Sequence, residues 1–187
     1  MAVRRILQIE DPEDKKVLKT RCHPIKTITP GLRQLAADMF ETMHAANGVG
    51  LAAPQIGLTQ RIAVVWVPAE VEESDDGSVL EVAPEESYAL INPEIVKVSA
   101  GEELGQEGCL SLPGWYGEVP RHAWVTVEYT DLEGKRRRIR KAGGLLGRAL
   151  QHEIDHLDGV LFTERIRDLS TLKDLRAEPQ ERQPIEA

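Results

Sequence analysis

Apolar positions recur at helical spacing in two long stretches of this chain and run unbroken in a shorter one. Leu32, Leu35, Ala36, Met39, Phe40 and Met43 fall on one face of a 3.6-residue repeat and predict a helix over 31–46. Leu146, Leu150, Ile154 and Leu157 form a second stripe, on a helix predicted over 144–157 and ended by Asp158-Gly159. Asp11-Pro12-Glu13-Asp14 reads as a helix start, because an N-cap acid, proline in the first turn and further acid there all suit the helix dipole. The unbroken apolar run Ile62–Val67 predicts a buried strand, and shorter strands are expected at 88–91, 95–99, 123–130 and 135–140. The last two flank a turn at Asp131-Leu132-Glu133-Gly134. Residues 68–87 are acidic and polar around Asp76-Gly77, a hairpin signal in an exposed insertion. A last helix is expected at 168–177, followed by a frayed polar tail.

Composition narrows the class. The 187 residues suit one domain, and no repeat or second boundary is visible. Aromatics make up only 4%, so the core must rest on Leu, Ile, Val and Ala. A formal charge of −8 argues against general nucleic-acid binding, while leaving a local basic patch open. The N-terminal residues meet charge too early for a signal peptide, and no run approaches the length of a membrane span. Two cysteines without a secretion signal indicate a reducing compartment, so the expected location is cytoplasmic.

The candidate chemistry lies in Gln151-His152-Glu153-Ile154-Asp155-His156. A helix turns about 100° per residue, so residues four apart point the same way. His152 and His156 therefore share a face with Leu145 and Ala149, opposite the apolar stripe, and that face could wall a pocket. Two histidines alone are as often structural as functional. Glu153 between them changes the reading, because His-Glu-x-x-His places two nitrogen ligands on one metal and a carboxylate beside its water.

A catalytic site needs a third protein ligand. The downstream acids are Asp158, Glu164, Asp168 and Asp174, and the upstream candidates are Cys22, His23, His44, Cys109 and His122. Cys109 sits in Glu-Gly-Cys-Leu-Ser-Leu-Pro-Gly (107–114), where glycine permits close backbone approach. A buried, inert cysteine is the ordinary alternative. Spacing favours Cys109 without settling the choice.

Three segments together resemble the signature motifs of the peptide deformylase family: GVGLAAPQIG (48–57), EGCLSLPG (107–114) and QHEIDHLDG (151–159). They stand in the family's order, and weaker likeness extends through about residue 165. The resemblance implies an α+β fold, with short antiparallel strands packed around a central helix that carries the HExxH motif. It implies a catalytic domain over 1–167, with 168–187 as its C-terminal helix and tail. It implies Cys109, His152 and His156 as metal ligands and Glu153 as general acid/base. The Gln55 side chain and the Leu110 amide would be oxyanion donors. Val49, Gly50 and Gly108 would lie along the substrate. Leu145 and Ala149 could line the methionine pocket, and Arg148 stands near that face as either a substrate contact or a solvated edge residue.

The implied reaction is hydrolysis of the N-formyl group from N-formylmethionyl nascent peptides, with release of formate. The implied cofactor is one divalent metal ion, Fe²⁺ in the cell, with Zn²⁺, Ni²⁺ or Co²⁺ able to replace it. Transient ribosome contact is a further implied partnership; a membrane partner is not expected. Two other readings compete. One is an HExxH metallopeptidase using Glu164 as its third ligand. The other is a structural metal module that adds Cys22 or His23. The chain departs from the family pattern in Glu13–Lys16, inserted after Asp11-Pro12, and in Trp115-Tyr116, where some members place an arginine.

Overall fold

The first helix begins where its cap is strongest. Asp11 accepts hydrogen bonds from the Glu13 and Asp14 amides, and Pro12 occupies the first turn, where no N–H is needed. The computed structural model describes residues 2–73 and 79–177. Its helices are α1 (Pro12–Leu18), α2 (Pro30–Ala45) and α3 (Gly144–Leu157). Its strands are β1 (Gly50–Ala52), β2 (Ile62–Val67), β3 (Glu70–Glu73), β4 (Val79–Ala83), β5 (Glu86–Val98), β6 (Glu102–Cys109), β7 (Leu112–His122), β8 (Trp124–Thr130), β9 (Arg136–Gly143) and β10 (Lys173–Asp174).

Antiparallel pairing builds a five-stranded sheet in the order β1-β2-β5-β8-β9, a three-stranded sheet β10-β7-β6 and a hairpin β3-β4. The predicted α+β class with short antiparallel strands is borne out. α2 covers one part of the large sheet with Leu32, Leu35, Ala36, Met39 and Met43. α3 packs on β1, β2, β8 and β9 and also touches β7 of the smaller sheet. Its Leu150 and Leu157 are fully buried, so truncating either to alanine costs about 2–5 kcal/mol. Gly147 permits α3 to begin tight against β9, since a Cβ there would stand 2.4 Å from the Ala142 carbonyl oxygen.

Two expectations need correction, and one hairpin was not anticipated. The strands expected at 88–91 and 95–99 are one strand, β5, bent at Asn92, which has φ 50° and bridges to the Ile25 backbone. The segment around Cys109 is a strand hairpin: β6 and β7 pair from Glu102↔His122 to Cys109↔Leu112, with a register shift at Gly108/Cys109. Residues 168–177 form no α-helix. Asp168 caps a 3-10 turn, and the chain then extends to pair β10 with Trp115 and Tyr116. The tail beyond 177 and the Asp76-Gly77 turn lie outside the described residues, although β3 and β4 pair on either side of that turn. Among the described residues, no helix is long and apolar enough to cross a membrane.

Candidate metal centre

α3 carries the two histidines one turn apart, and the end of β6 brings Cys109 to them. Cys109 Sγ lies 3.2 Å from His156 Nε2, and the two Nε2 atoms lie 3.1 Å apart. All three donor atoms fall within 4.8 Å of one another, and among the described residues this is the one group of three His, Cys, Asp or Glu donors so arranged. One soft sulfur and two imidazole nitrogens make a donor set suited to a divalent transition metal. His23, His44, His122, Glu164 and the buried Cys22 stand outside this group. His122 Nδ1 meets the Ser99 carbonyl instead, and Glu164 accepts from Lys19 and from the Leu161 amide.

The second nitrogen of His152 is fixed by a buried carboxylate. Glu107 meets His152 Nδ1 at 2.9 Å. It also accepts from Arg121 Nε (2.9 Å) and Nη2 (3.0 Å) and from Arg148 Nη1 (2.9 Å). Arg121 in turn donates to Asp155 at 2.6 Å, and Arg165 grips the same carboxylate. Burial works against the charge on Glu107, but hydrogen bonds from His152 and Arg121 outweigh it and hold the carboxyl at about 2. Burial likewise opposes a proton on His152. Its contacts with Cys109 and Glu107 prevail and raise it to about 10. A bound cation would take the place of that proton, since ligands coordinate in their deprotonated form. Burial pushes His156 well below its ordinary value, which leaves it neutral with a lone pair to offer.

Glu153 sits beside this cluster, 4% exposed, with Oε2 lacking a hydrogen-bond partner. Burial, only partly offset by the charge on His152, pushes its carboxyl up to about 7. Gly50 makes the approach possible, because a Cβ there would stand 2.3 Å from Glu153 Oε1. Gln55 is buried, and its Oε1 accepts from the Ala52 amide. That bond turns Nε2 toward Cys109 Sγ (3.5 Å) and Ser111 Oγ (3.4 Å).

A cavity of about 490 Å³ opens over these groups, lined by Val49, Gly50, Gln55, Gly108, Cys109, Leu110, Leu145, Ala149, His152 and Glu153. Every residue assigned to the site from the sequence therefore faces one cavity or, for His156, its floor ligand set. The Val49 carbonyl is already taken by the Trp66 amide. Arg148 also lines the cavity, but it is neither a free substrate contact nor a solvated edge: it is anchored on Glu107 and on the Gly105, Val119 and Glu103 carbonyls. Sequence reasoning missed Glu107, Arg121 and Asp155. Glu107 opens a motif that was singled out only for its cysteine, and Asp155 lies inside the histidine motif itself.

Residues 3–171 match a family model described as polypeptide deformylase. The chain is 73% identical to the peptide deformylase of Roseiflexus sp. (strain RS-1), over 95% of this chain and 96% of that protein. It is 63% identical to the peptide deformylase of Chloroflexus aggregans (strain MD-66 / DSM 9485), over 100% of this chain and 99% of that protein. Its fold is similar to a crystal structure of a peptide deformylase from Legionella pneumophila, with TM-score 0.74 and 40% identity, covering 91% of this chain and 89% of the other.

Proposed function

Because the chain belongs to the polypeptide deformylase family, and so is a hydrolase that removes the formyl group from nascent peptides, we propose that Cys109, His152 and His156 hold its divalent metal and that Glu153 moves the proton. The convergence of one sulfur and two imidazole nitrogens within 4.8 Å carries this reading. A divalent ion held there supplies Lewis acidity, which shifts the ionisation of water from about 15.7 toward 7.

The chain's own groups do the rest. Glu153, its carboxyl pushed up by burial, takes the proton of the attacking water and returns it to the departing amine. The Gln55 Nε2–H and the Leu110 N–H are the donors for the oxygen that becomes negative, and loss of one such donor typically costs about 10² to 10³ in rate. Glu107 holds the His152 ring by Nδ1, so that Nε2 faces the ligand set. Gly50 stands so close to Glu153 that no Cβ fits between them, and in this reading that narrowness admits a formyl group and excludes an acetyl group. Val49, Gly50 and Gly108 lie along the peptide, and Leu145 and Ala149 receive the methionine side chain.

The thiolate donates more charge than a neutral ligand and moderates acidity at the metal. Fe²⁺ is the cellular ion in this reading, with Zn²⁺, Ni²⁺ or Co²⁺ able to replace it. The enzyme acts in the cytoplasm, with transient ribosome contact to meet its substrate. The assignment is tested by formate release from a formyl-Met peptide beside an acetyl-Met control, using anaerobically prepared protein. Formyl cleavage alone is expected; equal cleavage of both contradicts the tight cavity. In parallel, Cys109→Ser should abolish stoichiometric metal, whereas Glu164→Ala should leave it, and the reverse result returns the third ligand to Glu164.

A further inference from the structure

β9 and the turn before it read Lys135-Arg136-Arg137-Arg138-Ile139-Arg140-Lys141, so six of the chain's 23 basic residues fall within seven positions of an acidic protein. β9 is an edge strand of the large sheet and runs directly into α3. Part of its charge is already matched. Arg136 and Arg138 meet Glu128, and Arg137 meets Asp131 at 2.6 Å. Arg140 and Lys141 form no ion pair among the described residues, and Lys141 Nζ lies 5.4 Å from the centre of the Trp124 ring.

These cations border a second cavity, of about 640 Å³. Arg137, Arg138, Arg140 and Lys141 stand on one side, and Pro68, Pro84 and Tyr88 on the other. Among the described lining residues one carboxylate, Glu86, lies on its wall and is engaged by the Tyr88 hydroxyl. Leu145 lines both this groove and the metal-site cavity and is 46% exposed. The two cavities therefore abut at a residue assigned to the methionine pocket. A mixed apolar and cationic groove that adjoins the metal-site cavity at one shared residue suits a polypeptide better than a nucleic acid, which needs a broad basic face that a chain of net charge −8 does not offer.

We infer that the β9 groove is an extended subsite that receives the downstream part of the substrate polypeptide and favours acidic side chains there. This rests on the metal-site cavity being where the formyl-Met terminus is held. Arg140 and Lys141 supply the attraction, and the proline and tyrosine side of the groove supplies apolar contact to the extended chain. The consequence is a deformylase that discriminates among nascent chains by residues beyond the methionine pocket.

The test is a ladder of formyl-Met peptides carrying an Asp pair moved stepwise along an otherwise neutral chain, assayed with metal-loaded enzyme beside a formyl-Met dipeptide. Exposed ion pairs are individually weak, so kcat/KM should rise roughly three- to tenfold, mainly through KM, at the positions that reach the groove. The gain should fade as salt rises from about 0.05 M to 0.5 M. The double variant Arg140→Glu with Lys141→Glu should keep dipeptide turnover and transfer the preference to Lys-containing peptides; Arg140→Gln alone should reduce the acidic preference. Fluorescence anisotropy with the deformylated peptides reads the groove independently of turnover, so a failed catalytic assignment would leave this result intact. Equal rates for acidic and neutral peptides at every position and low salt overturn the inference. So does a preference that the double variant leaves unchanged. RNA binding that disappears in the double variant while peptide preference stays flat assigns the strand to nucleic acid and also overturns it. A loss of thermal stability in the double variant without altered preference assigns the cations to the folded state rather than to the substrate and overturns it as well.

Discussion

Replacing Glu107 by glutamine tests how far the metal site depends on the carboxylate behind it. Glu107 is 5% exposed and takes four hydrogen bonds from three cationic or ring donors, His152, Arg121 and Arg148. Glutamine keeps the shape, but its amide N–H₂ must face an arginine donor, and the charge is lost. A carboxyl held at about 2 rather than its ordinary 4.5 corresponds to about 3 kcal/mol of preference for the charged form. Breaking a buried charge pair by removing one partner costs about 3–5 kcal/mol, which agrees. For a chain of this size, about 2–4 °C of Tm accompanies each kcal/mol, so Glu107→Gln should melt roughly 6–20 °C lower. Losing the group that orients a ligating histidine should weaken metal binding about 10- to 100-fold. Because the folded pKa is depressed, the stability from Glu107 is fully present above its ordinary 4.5 and lost as pH falls toward 2. The gap between wild type and variant should therefore narrow across that window. Calorimetry from pH 3 to 7 and competition for the metal against a chelator measure both effects. A variant with wild-type Tm at pH 7 and chelator resistance within threefold would refute this role for the carboxylate.

Gly50→Ala pushes a methyl into Glu153 Oε1; displacement of about 1 Å there should lower kcat about 10²-fold while metal content stays stoichiometric, as elemental analysis would check. Glu153→Gln should likewise keep its metal and lose about 10²- to 10⁴-fold in turnover. A bound cation lowers this carboxyl from the 7 set by burial, so the acid limb of kcat/KM should lie below pH 7 in wild type and vanish in the variant. Ending the chain after Leu172 removes the pairing of Lys173 and Asp174 with Tyr116 and Trp115, together with Arg176 over the Trp115 ring. Trp115 and Tyr116 wall the cavity, so steady-state kinetics should show KM raised several-fold with kcat within twofold.

Local signals carried the helices well. The Asp11-Pro12 cap, the α2 stripe and the apolar back of α3 each act within a few residues, and the structure keeps their bounds nearly unchanged. The β6–β7 hairpin was illegible because Gly105, Gly108, Pro113, Gly114, Gly117 and Pro120 break its pattern. Its pairing depends on partners across the hairpin rather than on alternation. The expected C-terminal helix failed for the opposite reason: its local pattern was helical enough, but an open strand edge on β7 drew the chain out into β10. The three residues whose donor atoms converge, Cys109, His152 and His156, were legible as motifs, while the support behind them was not. Glu107 meets Arg121, Arg148 and His152 at separations of 14, 41 and 45 residues, which no local pattern encodes.

Cys109 ends a strand of the small sheet, while His152 and His156 belong to a helix laid against the large one. A cation gripped by all three therefore acts as a rivet across two layers of the molecule, in addition to its chemistry. By mass action, tighter binding there deepens the folded state in proportion to the logarithm of free metal, because the unfolded chain cannot assemble the same cage. Metal supply would then govern how long each copy survives as well as how fast it turns over.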